Sequence, residues 1–149
     1  MPALISTLAG CTRLARACRG IRRSRYPWYH KAAERGDHLA QESLGIIYHY
    51  GQGVPQHYST AVSWHRRAAE QGDATAQNNL GLLYTNGQGV PQSYVQAHKW
   101  YNLAASRSGA DTDTHKMAVK NRDIVAAKMT PAQIAVAQKL AEEWKPKSE

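Results

Sequence analysis

The chain has 149 residues, 42% hydrophobic and 20% charged, with a formal charge of +8 from 19 Lys+Arg against 11 Asp+Glu. That length suits one ordinary domain with enough apolar side chains for a core, which excludes global disorder, and no apolar run reaches the roughly 18 residues of a membrane-spanning helix. Both cysteines, Cys11 and Cys18, lie near the start, which excludes a disulfide framework or a thiolate zinc site in the body of the chain.

The basic excess is concentrated in a leader, residues 1–25. Arg13, Arg16, Arg19, Arg22, Arg23 and Arg25 precede the first acidic residue, Glu34, whereas residues 26–149 hold 13 basic against 11 acidic residues, a net of +2. Any attraction to polyanions therefore belongs to the leader and not to the domain. Leu14, Ala17, Cys18 and Ile21 would make a narrow apolar stripe among the arginines of a helix. Such a segment is similar to an organelle transit peptide and would also suit RNA or an anionic membrane surface. Leu8-Ala9-Gly10-Cys11 looks like a lipoprotein cleavage box, but its arginines follow the box instead of preceding an apolar core. A poorly ordered tail, or a start site other than the natural one, is the plainer expectation.

From Trp28 onward the chain repeats itself every 36 residues. Trp28 aligns with Trp64 and Trp64 with Trp100, and residues 28–63 match residues 64–99 at 19 of 36 positions. Unrelated stretches of this composition would match at about two or three, so a repeat array is the first architecture to test. The third copy begins with Trp100, Ala104 and Ala105 and then loses the pattern. This divides the body into a half repeat at 26–36, full repeats at 37–72 and 73–108, and a tail at 111–149.

Each period predicts an antiparallel helix pair. Ala40, Leu44, Ile47 and Tyr48 share one side of a helix over about 37–50, and Tyr58, Ala61, Trp64 and Ala68 form the stripe of a second. Gly51 to Gln56 is the turn between them, with Gly51 ending the first helix and Pro55 stopping its propagation. Gly36 and Gly72 end second helices, and Asp37 and Asp73 are placed as N-caps of the helices that follow. Gly45 and Gly81 each cost roughly 1 kcal/mol relative to Ala within a helix, which predicts the close approach of another helix backbone. Tyr48, Trp64, Tyr84 and Trp100 are expected to fill the space between pairs.

The tail reads as a C-terminal cap. Residues 111–129 predict a polar helix anchored by Met117, Ile124 and Val125, with Ala118 at the former glycine position. Thr130-Pro131-Ala132-Gln133 is a helix start of the capping-box type, and Ile134, Ala137, Leu140, Ala141 and Trp144 make its inward stripe. A solenoid needs such an end, with one polar face turned outward.

The repeated unit, Ala-x-x-x-Leu-Gly-x-x-Tyr, then Gly-x-Gly-Val-Pro, then Ala-x-x-Trp-x-x-x-Ala-Ala-x-x-Gly, resembles the Sel-one-like repeat, a relative of the tetratricopeptide repeats. The resemblance covers residues 26 to about 108. It implies an all-α fold, a right-handed α/α superhelix, and an adaptor that holds other proteins together. Some bacterial members are cysteine-rich and linked to penicillin binding or weak β-lactamase activity. Those members carry a cysteine pair in each repeat, and positions 40–149 here contain none.

No phosphate loop, paired zinc-binding histidines or Ser-x-x-Lys signature accompanies the repeats, so the reading assigns no enzyme activity, no cofactor and no metal. His30, His38, His49, His57, His65, His98 and His115 are read as solvated surface groups, and the Gly-Gln-Gly-Val-Pro-Gln turn as structural. What remains for function is the face of each first helix opposite the core. With Leu44 taken as the core direction, Leu39, Glu42, Ile46, His49 and Tyr50 point away from it, as do Thr75, Asn78, Leu82, Thr85 and Asn86 one period later. These ten residues are expected to line a groove for a protein or peptide segment, with Asn78, Asn86, Glu42 and Tyr50 as its recognition residues. The alternatives are a β-lactamase-like hydrolase and an RNA- or membrane-associated protein acting through the leader. No nucleic acid is expected on the array itself. The helix at Trp28 has no upstream partner in the pattern, so the leader, missing residues or a second copy of the chain would have to cover it.

Overall fold

The computed structural model describes residues 27–148, and the leader lies outside the described residues. Seven helices account for the body: residues 27–34 (α1), His38–Tyr50 (α2), Tyr58–Glu70 (α3), Ala74–Asn86 (α4), Tyr94–Arg107 (α5), Asp113–Ala126 (α6) and Pro131–Glu143 (α7). No strand occurs among the described residues. The pairs α2–α3 and α4–α5 stack in register, and α6 and α7 close the far end against α5. The fold is an all-α solenoid.

Local chemistry sets the boundaries. The Asp37 carboxylate accepts hydrogen bonds from the backbone N–H groups of Leu39 and Ala40, and Asp73 does the same for Ala76. Each uses an acceptor that the free N–H groups of a first turn require. Gly51 and Gly87 adopt the left-handed backbone, with φ of 67° and 64°, and return their N–H groups to Ile47 and Leu83. The second Gln of each Gly-Gln-Gly-Val-Pro-Gln turn has a role as well. Gln56 Nε2 donates to the carbonyl of His49 and Gln92 Nε2 to that of Thr85, so the turn satisfies carbonyls that the ending helix leaves open. At the C-terminal end the Thr130–Gln133 capping box forms in both directions.

A second repeated device joins one pair to the next. Gln41 Nε2 donates 3.0 Å to the carbonyl of Ala33, and Gln77 Nε2 donates 3.0 Å to that of Ala69. Both glutamines are fully buried, so each anchors a first helix to the C-terminal end of the preceding second helix. The main core runs through α3, α4, α5 and α7, with Val62, Leu80, Leu83, Trp100 and Leu103 packed against Tyr58, Tyr84 and Trp144. Ala33, Ala40 and Leu44 form a smaller cluster with Tyr29, Ile47 and Trp64. Ala61, Ala68 and Ala97 are buried and leave room for these rings.

Three expectations are corrected. Gly45 and Gly81 face aromatic rings and not a helix backbone: a Cβ on Gly45 would lie 2.5 Å from the His65 ring, and one on Gly81 2.7 Å from that of Tyr101. His65, His98 and His49 are buried. His65 sits four residues after Ala61 and four before Ala69, on the inward side of α3, so helix phase outweighs its polarity. Met117 and Ile124 are largely exposed, and Ala118 and Val125 anchor α6, because α5 covers only one narrow side of that helix.

Candidate functional site

The first helices α2, α4 and α6 begin side by side, with Asp37, Asp73 and Thr112 as their N-caps. Between these starts lies a depression of about 330 Å³, lined by His38, Leu39 and Glu42 of α2, Asp73 and Thr75 at the start of α4, Arg107 at the end of α5, and Thr112. Its charges are paired across the elements. His38 Nδ1 lies 2.8 Å from Asp73 Oδ2, and Arg107 Nε donates 2.9 Å to the carbonyl of Gly72. Glu42 is hydrogen-bonded to Asp73, and burial together with the Asp73 charge pushes its carboxyl up to about 7, against a smaller opposing pull from His38. Near neutral pH the Glu42 carboxyl is therefore partly protonated, and the wall presents both donors and acceptors.

The ten residues expected to line a groove separate into three groups. Leu39, Glu42 and Thr75 border the depression at the helix starts. Tyr50 and Asn86 are exposed at the far ends of α2 and α4, about 16 Å away at 1.5 Å per residue. Ile46, Leu82 and Thr85 are partly buried between them. Thr85 Oγ1 also donates to the carbonyl of Gly81 and lies 3.0 Å from the Tyr101 hydroxyl.

His49 and Asn78 are not groove residues. The first is 7% exposed and stacks on Tyr50 with its edge toward Tyr58 and His65, in the seam between α2 and α3. The second is 5% exposed, and its amide oxygen accepts from Asn121 Nδ2 at 3.3 Å because α6 crosses α4 at that point. A first helix in the array is covered by its own partner and again by neighbouring helices, as α4 is by α3 and α6. Phase measured from a single core direction misses the second cover.

His38, Asp73 and Arg107 enter the site without having been expected there. Asp73 was legible only as an N-cap, and it serves that purpose while also holding His38. Arg107 stands one period after Gln71 and two after Arg35, so no departure from the repeat marks it in the sequence. Gln71 Nε2 donates to Gln41 Oε1, whereas Arg107 turns to Gly72 and leaves Gln77 Oε1 without a partner.

The Sel1 repeat model matches residues 28–37, 38–73 and 74–108, more than half of the chain. No curated protein matches the sequence. Among solved structures, the chain is similar to c5321, a protective antigen present in uropathogenic Escherichia coli strains and displaying an SLR fold. That likeness has 33% identity and a TM-score of 0.76, and it covers 96% of this chain and 29% of that one. A Sel1 repeat protein from Oxalobacter formigenes is 39% identical with a TM-score of 0.56, over 62% of this chain and 26% of its own. The chain thus spans less than a third of the length of either relative. Sel1 repeats generally build non-catalytic scaffolds for protein interaction. The chain belongs to the Sel1 repeat family.

Proposed function

We propose that the chain is an interaction scaffold that binds a peptide or protein segment along the face of its first helices. Leu39, Glu42 and Thr75 would make contacts at one end, Tyr50 and Asn86 at the other, and Ile46, Leu82 and Thr85 would form the floor between them. The observation that carries this reading is the placement of Leu39 and Tyr50. They are 60% and 61% exposed at opposite ends of one helix face, flanked by a depression whose polar groups offer both donors and acceptors. Exposed apolar and aromatic anchors with polar neighbours suit docking of an extended or helical segment.

The test is partner capture by the full chain, compared with Leu39→Ser/Tyr50→Ala on the groove and Val136→Ser on the cap, where Val136 is also exposed. Loss of capture with the first variant and retention with the second supports the groove. Equal capture by both overturns it. Sustained nitrocefin turnover by the purified chain, absent from a mock purification, would instead favour a β-lactamase-like hydrolase.

A further inference from the structure

The two full repeats close their helix pairs with different chemistry at the same place. In the second, the Tyr101 ring covers Gly81, and its hydroxyl is 3.0 Å from Thr85 Oγ1, which in turn donates to the Gly81 carbonyl. One period earlier the ring is His65 over Gly45, and the partner position is His49. His65 is completely buried, and neither Nδ1 nor Nε2 has a hydrogen-bond partner. The His49 ring stands 6.3 Å from it, edge-on, and is itself buried against Tyr50 and Tyr58. A neutral imidazole leaves one N–H and one lone pair unfilled in such a site. An imidazolium would leave two N–H groups and a full charge there, a much larger cost.

We propose that the His49–His65 pair is an acid-responsive latch. Neutral imidazoles let α2 close on α3, and protonation within the pair opens the first full repeat while the second, closed by Tyr101 and Thr85, stays shut.

The surrounding charges do not remove the cost. From α2, His49 faces His65 and repels a second positive charge. From the start of α4, Asp73 attracts one, but its carboxylate already holds His38 and is hydrogen-bonded to Glu42. On α3 the nearby titratable ring is Tyr58, and His30 of α1 rests against Trp64. Burial lowers His65 to about 3, and burial lowers His49 as well. The open state therefore binds protons more readily than the closed one. Closure is complete above about pH 6.5 and weakens as pH falls, tenfold per pH unit for each imidazole fully coupled to opening. Glu42 acts in the opposite sense, because its raised carboxyl takes up a proton in the closed state between about 7 and 4.5 and firms the contact of α2 with α4. His98, facing Arg122 and Asp123 of α6, is buried with Nδ1 unpartnered, so its response falls on the contact of α5 with α6.

The experiment is amide hydrogen exchange on the full chain from pH 7.5 to 4.5, corrected for the intrinsic pH dependence of exchange. It uses a Glu42→Gln background to remove the opposing carboxyl. The opening constant of residues 38–70 is expected to rise about tenfold per pH unit below 6.5, ahead of residues 74–86. Transplanting the second repeat's pair, His49→Thr with His65→Tyr, should flatten that rise. Parallel opening of both segments, or a rise unchanged by the transplant, overturns the proposal. Should the transplanted chain not fold, imidazole resonances of the native chain decide. A His65 that stays neutral until the signals of α2 and α3 vanish supports the latch, and a His65 that titrates near pH 6.5 in an intact repeat overturns it. Acid release of a groove-bound peptide would follow from the latch, but that consequence alone rests on the groove reading.

Discussion

The pairs α2–α3 and α4–α5 share a template and differ in what seals them. Their caps, turns and glutamine anchors correspond position by position: Asp37 with Asp73, Gly51 with Gly87, Gln56 with Gln92, Gln41 with Gln77. Their interiors do not. The second pair shares the larger apolar cluster with α3 and α7, and its polar core atoms at Tyr101 and Thr85 bond to each other. On its α2 side the first packs Leu44 and Ala40 with Ala33 of α1 in a smaller cluster, and it encloses an imidazole without hydrogen bonds. Repetition conserves what the backbone demands of every turn and cap, whereas side-chain volume and polar pairing are free to differ between copies, so stability need not be uniform along the array.

The largest effect expected from this difference is at the leucines. Leu80→Ala should cost about 3–5 kcal/mol, because a completely buried side chain leaves a cavity in the main cluster, and Leu44→Ala less, about 2–3 kcal/mol, in its smaller one. Urea unfolding followed by helix signal and tryptophan fluorescence measures both, and equal losses would erase the distinction between the pairs. Next come the caps. Asp73→Ala should cost about 1–2 kcal/mol and Asp37→Ala about 1 kcal/mol, since Asp73 also holds His38. Thermal unfolding at pH 7 compares them, and the gap should close in a His38→Ala background.

Tyr101→Phe should cost about 1 kcal/mol by removing the bond to Thr85, and it tests whether that bond is what the first pair lacks. The smallest effect is at Glu42. Its closed-state carboxyl titrates near 7 against 4.5 in the open chain, so the stability tied to its proton is present below about pH 4.5 and lost as pH rises through 7. Glu42→Gln should therefore stabilise the chain at pH 8 by about 1 kcal/mol, discounted because the group is half-exposed, and leave it unchanged at pH 4.5. Urea midpoints at the two pH values read the sign directly.

The helices, their caps and the turn residues were legible because each follows from a local rule repeated every 36 residues. Gly51, Asp73 and the Thr130–Gln133 box needed no knowledge of the rest of the molecule. The candidate site was legible only in part. Leu39, Glu42, Thr75, Tyr50 and Asn86 stand on the accessible face, whereas His49 and Asn78 have the right phase on a lone helix and are covered by neighbouring helices. Polarity misled in the same way at His65, where the Ala61 and Ala69 register is a better guide than the imidazole itself.

The sequence by itself determined the period, the helix pairing, the family and the near neutrality of the array, because these depend on spacing along the chain. Tertiary structure alone decided which ring fills the notch at Gly45 and Gly81, that Glu42 lies against Asp73, and that one repeat encloses two histidines. Those outcomes depend on distances between residues 16 to 31 positions apart, which are set by how helix pairs stack and not by any one helix.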